Sequence, residues 1–117
     1  DQTCCTKGVM KYKGRLGLGY SIQDGYEAAK LCALNILSHL KHYCKGDYSQ
    51  IATCTKLTVF IKSTDDFENQ AQVANGASYL LIEFLGENGR HVRSTVSVSS
   101  LPSGSSVEVE ASFKILR

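Results

Sequence analysis

The stretch from Gly89 to Phe113, GRHVRSTVSVSSLPSGSSVEVEASF, restricts the possible folds more than any other, because it alternates strictly in two runs. In the first run Val92, Ser94, Val96 and Val98 share one side, and His91, Arg93, Thr95, Ser97 and Ser99 the other. In the second, Val107, Val109, Ala111, Phe113 and Ile115 face away from Glu108, Glu110, Ser112 and Lys114. A period of two marks strands with one buried face. Leu101-Pro102-Ser103-Gly104-Ser105 lies between the runs, holds the only proline and is suited to reversing the chain. The expected product is an antiparallel hairpin that sets the Arg93–Ser97 segment opposite Glu108–Glu110 on its polar face.

Opposite charges on facing strands are ordinary on a solvated sheet, where a pair contributes about 0.2–1 kcal/mol. The functional alternative rests on the neighbours of Arg93. Thr95, Ser97 and Ser99 are short and leave a guanidinium within reach. A planar guanidinium in such a recess can grip a carboxylate or phosphate through two parallel hydrogen bonds.

Upstream, Ser21 with Asp24 three residues on forms a capping-box pattern that starts a helix. Ile22, Tyr26, Ala29, Ala33, Ile36, Leu37 and Leu40 follow at helical period, Leu31 and Leu34 widen the stripe, and Gly46 marks the end. Ile51–Lys62, IATCTKLTVFIK, is β-branched and almost unbroken in apolarity, as a central strand covered on both faces would be. A second helix is expected after Ser63-Thr64, with Asp65, Asp66 and Glu68 in its first turn. Its face of Phe67, Ala71, Ala74, Ala77, Ser78, Leu81 and Leu85, with Gly76, is thin enough to lie close on a sheet, and Gly86 stops it. Lys13–Tyr20, with Gly14, Gly17 and Gly19, reads as a flexible loop, since it lacks the phosphate-loop pattern.

The element order predicts an α+β domain with two helices packed on one face of a mixed β-sheet. No further helix remains to cover the other face, so a second copy of the chain is expected there.

A chain of 117 residues makes one domain with a genuine core. A net charge of +2 without basic clusters argues against a dedicated nucleic-acid binder. No apolar run reaches the ~18–20 residues of a membrane span and no secretory leader opens the sequence, which points to a cytoplasmic location. The five cysteines include no C-x-x-C, and His39, His42 and His91 are not spaced with them as zinc ligands. Reduced thiols are expected, with Cys32 and Cys54 buried and the vicinal Cys4-Cys5 an exposed pair without function at the start of the chain, the alternative being a redox or thiol-reactive site.

Five motifs in order, GYEAAKLCALNIL (25–37), KLTVFI (56–61), VANGAS (73–78), GRHVRS (89–94) and VEVEA (107–111), resemble the RidA family, the reactive intermediate deaminases also called endoribonuclease L-PSP proteins. The resemblance runs from about Val9 to Ile115. It implies a chorismate-mutase-like fold assembled as a homotrimer, with sites in clefts between subunits. It also implies hydrolysis of 2-imino acids, or their enamine tautomers, to 2-keto acids and ammonia, with no cofactor and no metal. By motif, Arg93 matches the arginine that holds the substrate carboxylate. Glu108 matches an acid that positions water or the substrate nitrogen, and Asn75 an asparagine beside the pocket. Thr95 stands at a pocket position where many members carry a small residue or cysteine. The family has an N-terminal strand pair, and Asp1-Gln2-Thr3 falls just after where that pair would end.

The chemistry agrees with this allocation, because imine hydrolysis asks for a carboxylate anchor, a proton near nitrogen and a placed water. Two other functions stay open: a small-carboxylate-binding or chaperone-like trimer without turnover, and an endoribonuclease. The last would call for a basic groove and stacking aromatics that the sequence does not supply.

Overall fold

A computed structural model describes residues 2–6 and 9–116; Asp1, named in the comparison of the N-terminus above, lies outside them. Its strands are β1 (Gln2–Thr3), β2 (Cys5–Thr6), β3 (Val9–Met10), β4 (Arg15–Leu16), β5 (Gly19–Tyr20), β6 (Ile51–Lys62), β7 (Val92–Val98) and β8 (Val107–Ile115). The helices are α1 (Ile22–Tyr43) and α2 (Gln70–Leu85). The main sheet has the order β1-β8-β6-β7, mixed because β6 runs parallel to β7 and antiparallel to β8. Two helices on a mixed sheet is the α+β architecture expected from the element order.

The expected hairpin does not form. β6 is inserted between β7 and β8, pairing Leu57 with Arg93 on one side and with Ala111 on the other. The physical reason is burial. Leu57, Val59 and Ile61 are wholly inaccessible in the middle of the sheet, whereas a β7–β8 hairpin would leave β6 with a long open edge. The turn at Pro102–Gly104 therefore carries the chain across the end of β6. There the Lys62 Nζ donates to the carbonyls of Gly104 at 2.9 Å and Lys13 at 2.6 Å.

Ser21 caps α1 through the full reciprocal box with Asp24. The helix closes at Tyr43, where the N–H of Gly46, at φ +85°, reaches back to the Lys41 carbonyl. The buried stripe is centred on Ala28, Ala29, Cys32, Ala33, Ile36 and Leu37, while Ile22 and Leu34 are exposed. α2 begins at Gln70, later than its acidic residues suggested. Thr64–Phe67 instead forms a turn, closed by Phe67 N–H to Thr64 O and by the Thr64 hydroxyl on Asp66 Oδ1.

The thin face of α2 lies against α1 rather than against the sheet. A Cβ on Gly76 would stand 2.1 Å from the Tyr26 carbonyl oxygen. One turn away, Gly25 of α1 leaves room for Val73 and Leu16. The two helices thus meet almost backbone to backbone, which holds α2 over β7. Leu16 is fully buried, and Arg15 donates to the carbonyls of Ser63 at 3.0 Å and Ser99 at 2.8 Å. The glycine-rich 13–20 segment is therefore pinned to the ends of β6 and β7 rather than loose.

The sheet's other face carries Thr58, Phe60, Val92, Val96, Glu108 and Glu110, as the registers require. Val92 is 67% and Val96 44% exposed. No helix among the described residues is long and apolar enough to cross a membrane.

Candidate functional site

Arg93 sits near the start of β7, and its register with Leu57 points it to the helix side of the sheet. There α2 stands above it. The Arg93 Nη1 donates to Asn75 Oδ1 at 2.8 Å and to Ser78 Oγ at 3.0 Å. The close helix contact at Gly76, the residue after Asn75, is what brings these two acceptors within reach.

A histidine that the sequence reading did not single out completes the group. His91 Nδ1 lies 2.6 Å from the Gly89 carbonyl and Nε2 lies 2.9 Å from Ser78 Oγ. A carbonyl only accepts, so Nδ1 carries the hydrogen, and in the neutral ring Nε2 accepts from the Ser78 hydroxyl. The Ser78 lone pairs are then free to accept from Arg93. A chain of bonds, Arg93 to Ser78 to His91 to the Gly89 carbonyl, fixes one end of the guanidinium. The signal was present, because His91 and Arg93 are two apart on an alternating strand and must share a face.

Ser78, Ile82, Arg90, His91 and Arg93 wall a cavity of about 200 Å³. At ~30 Å³ per liquid water this is space for roughly six or seven waters, the scale of a small organic acid. Two guanidiniums and an imidazole line it, and none of these wall residues is an acid. Thr95 follows Arg93 on the same face, paired with Val59, and is not part of that wall.

Glu108 does not join this group. It pairs with Phe60 and Thr3, on the face away from the helices. It borders a recess of about 210 Å³ with Gln2, Thr3 and Pro102. Arg93 and Glu108 of one chain thus lie on opposite faces of the sheet, contrary to the hairpin expectation. Alternation showed which residues share a face within each strand, but the polar face of β7 turned out to be the helix side and that of β8 the open side.

The cysteines are all free. Cys32, Cys44 and Cys54 are buried, and so is Cys4, which corrects the expectation of an exposed pair. The pairing of Gln2–Thr3 with β8 tucks Cys4 under the sheet edge, with its Sγ 3.0 Å from Ser105 Oγ and 3.2 Å from the Tyr12 carbonyl. The neighbouring Cys32 thiol, and then Ser105, draw Cys4 down to about 5 against the opposing push of burial. Cys32 is raised in turn by the same contact and by burial. Burial pushes Cys54 up to about 11. Only Cys5 is partly accessible. Titration of the native protein with a bulky aromatic disulfide reagent should therefore show one fast thiol, and all five after unfolding. Two or more fast thiols would contradict the packing of Cys4 under β1. Among the described residues no three of His, Cys, Asp and Glu cluster as a metal site requires.

Comparison with known proteins gives the chain its relatives. The chain is 41% identical over 99 residues to Protein TCP17 of Trypanosoma cruzi, a match covering 84% of the chain and 61% of that protein. It thus spans less than two thirds of that relative's length. Its structure resembles Atu1372 of Agrobacterium tumefaciens, a protein of unknown function, with a TM-score of 0.94 and 39% identity over 97% of this chain and 73% of that one. It also resembles a Shewanella oneidensis protein described as a "putative endoribonuclease", with a TM-score of 0.92 and 31% identity over 97% and 75% of the two chains. The profile described as "YjgF/chorismate mutase-like, putative endoribonuclease" matches residues 1–112, and the chain belongs to that family.

Proposed function

We propose that this chain hydrolyses 2-imino acids, or their enamine tautomers, to 2-keto acids and ammonia, in clefts between the copies of a homotrimer. The observation that carries this reading is Arg93. Its guanidinium is held at Nη1 by Asn75 and Ser78 and borders a cavity of small-acid size. A guanidinium held at one end offers its remaining N–H groups as a preorganised fork for a carboxylate.

In this reading water adds to the imine carbon, a proton reaches nitrogen, and the C–N bond of the resulting carbinolamine breaks to release ammonia and the keto acid. Glu108 orients the water or the nitrogen. Because Glu108 and Arg93 of one chain occupy opposite faces, the acid that serves a given Arg93 comes from a neighbouring copy. The exposed Val92 and Val96, on the face of β7 that the helices leave open, fit such a neighbour.

One observation favours binding without turnover: a single chain has the anchor but no carboxylate in the same cavity. The endoribonuclease in the relatives' descriptions finds less support, since the cavity walls carry a single histidine, with no partner histidine for acid–base work and no Phe, Tyr or Trp to stack a base.

Mixing two inactive variants tests the reading. Arg93→Ala and Glu108→Gln should each be inactive as pure assemblies of about three times the 12.8 kDa chain mass. Co-assembled in equal amounts, they should regain activity in about a quarter of the clefts, those that pair an intact Arg93 with an intact Glu108. No recovery from a verified mixed trimer would sink the shared cleft, and a monomer by sedimentation would sink the assembly.

A further inference from the structure

We infer that the acid held in this cavity carries a second anionic group, so that the preferred ligands are 2-keto or 2-imino dicarboxylates of 2-oxoglutarate type rather than monocarboxylates. This rests on the carboxylate-anchoring reading of Arg93 and adds a second anchor, Arg90.

Arg90 and Arg93 border the same cavity, with Ile82 also in its wall. Arg93 is fixed by α2, as described. Arg90 is held only lightly. Its Nε meets Glu87 Oε2 at 3.0 Å in a pair three residues apart, whose side chains are 63% and 84% exposed. Such a pair is worth at most about 1 kcal/mol and is screened by salt. The contact uses Nε, so the Nη1–Nη2 edge of Arg90 can take a carboxylate without displacing Glu87. Ile82 offers an apolar wall for the methylenes that separate the two acid groups of a dicarboxylate. No wall residue is acidic, and Glu87 meets Arg90 only through an exposed, screened contact outside the wall, so much of the field of the two guanidiniums is left for the ligand. A monocarboxylate engages only one of the two cations. A dicarboxylate spans both cations at the cost of ordering one short chain.

The test compares pyruvate with 2-oxoglutarate by calorimetric titration of the assembled protein at fixed ionic strength. The unsubstituted protein should bind 2-oxoglutarate at least tenfold more tightly than pyruvate. Arg90→Gln should erase that difference while leaving pyruvate affinity within about twofold, since Arg93 on β7 and its hold by Asn75 and Ser78 are untouched. Glu87→Gln, which frees Arg90, should keep or enlarge the preference. Equal affinity for both acids, or a preference that survives Arg90→Gln, would overturn the dicarboxylate assignment and leave the Arg93 reading standing. If neither acid binds and Arg93→Ala changes nothing, both fall.

Discussion

Gly76→Ala should destabilise the protein by about 3 kcal/mol or more, and Gly76→Leu should prevent native folding. On an exposed helix the first change would stabilise, because alanine is the better helix former by about 1 kcal/mol. Here the sign reverses. The new Cβ would stand 2.1 Å from the Tyr26 carbonyl oxygen and 2.9 Å from its carbon, both backbone atoms of α1 that cannot rotate aside. Overpacking costs about 1–3 kcal/mol even where side chains can adjust, and a backbone obstacle puts this site at the top of that range. Against a total stability of roughly 5–15 kcal/mol, leucine exceeds what the fold can absorb. The displacement would also lift Asn75 and Ser78 from Arg93, so keto-acid binding should fall in Gly76→Ala even where the protein remains folded. Urea unfolding decides the matter: a Gly76→Ala protein more stable than the parent would mean that the helices do not meet as described.

Arg93→Ala should leave folding and assembly intact and weaken keto-acid binding at least tenfold. The side chain is only half-buried on edge strand β7, so its loss removes little packing. Ser78 keeps its bond to His91, which limits the number of buried groups left unpaired. A charge-assisted hydrogen bond contributes about 1.5–3 kcal/mol, and tenfold in affinity corresponds to about 1.4 kcal/mol. Arg93→Lys should rescue only part of the loss. An ammonium keeps the charge but cannot hold Asn75 and Ser78 at one end while gripping a carboxylate at the other. Unfolding of Arg93→Ala with unchanged affinity in the folded fraction would make Arg93 a structural residue.

The elements of this chain were legible because their signals are local. The Ser21–Asp24 box, the glycine stops at Gly46 and Gly86, the apolar run of β6 and the alternation of β7 and β8 all act within a few residues of where they are read. So were the α+β class and the common face of His91 and Arg93. Less was legible wherever distant segments compete for the same partner. Alternation tells which residues of a strand share a side, but not which strand lies alongside. The long apolar β6 took the place between β7 and β8 because that buries both of its edges. That one insertion separated Arg93 from Glu108 by the thickness of the sheet. Cys4 and Leu16 are buried by contacts with segments far along the chain, which no local period records. The start of α2 shifted because Thr64 and Asp66 satisfy each other in a turn. Asn75 and Ser78 reach Arg93 because Gly76 lets α2 lie against α1, and only the packed helices bring that about.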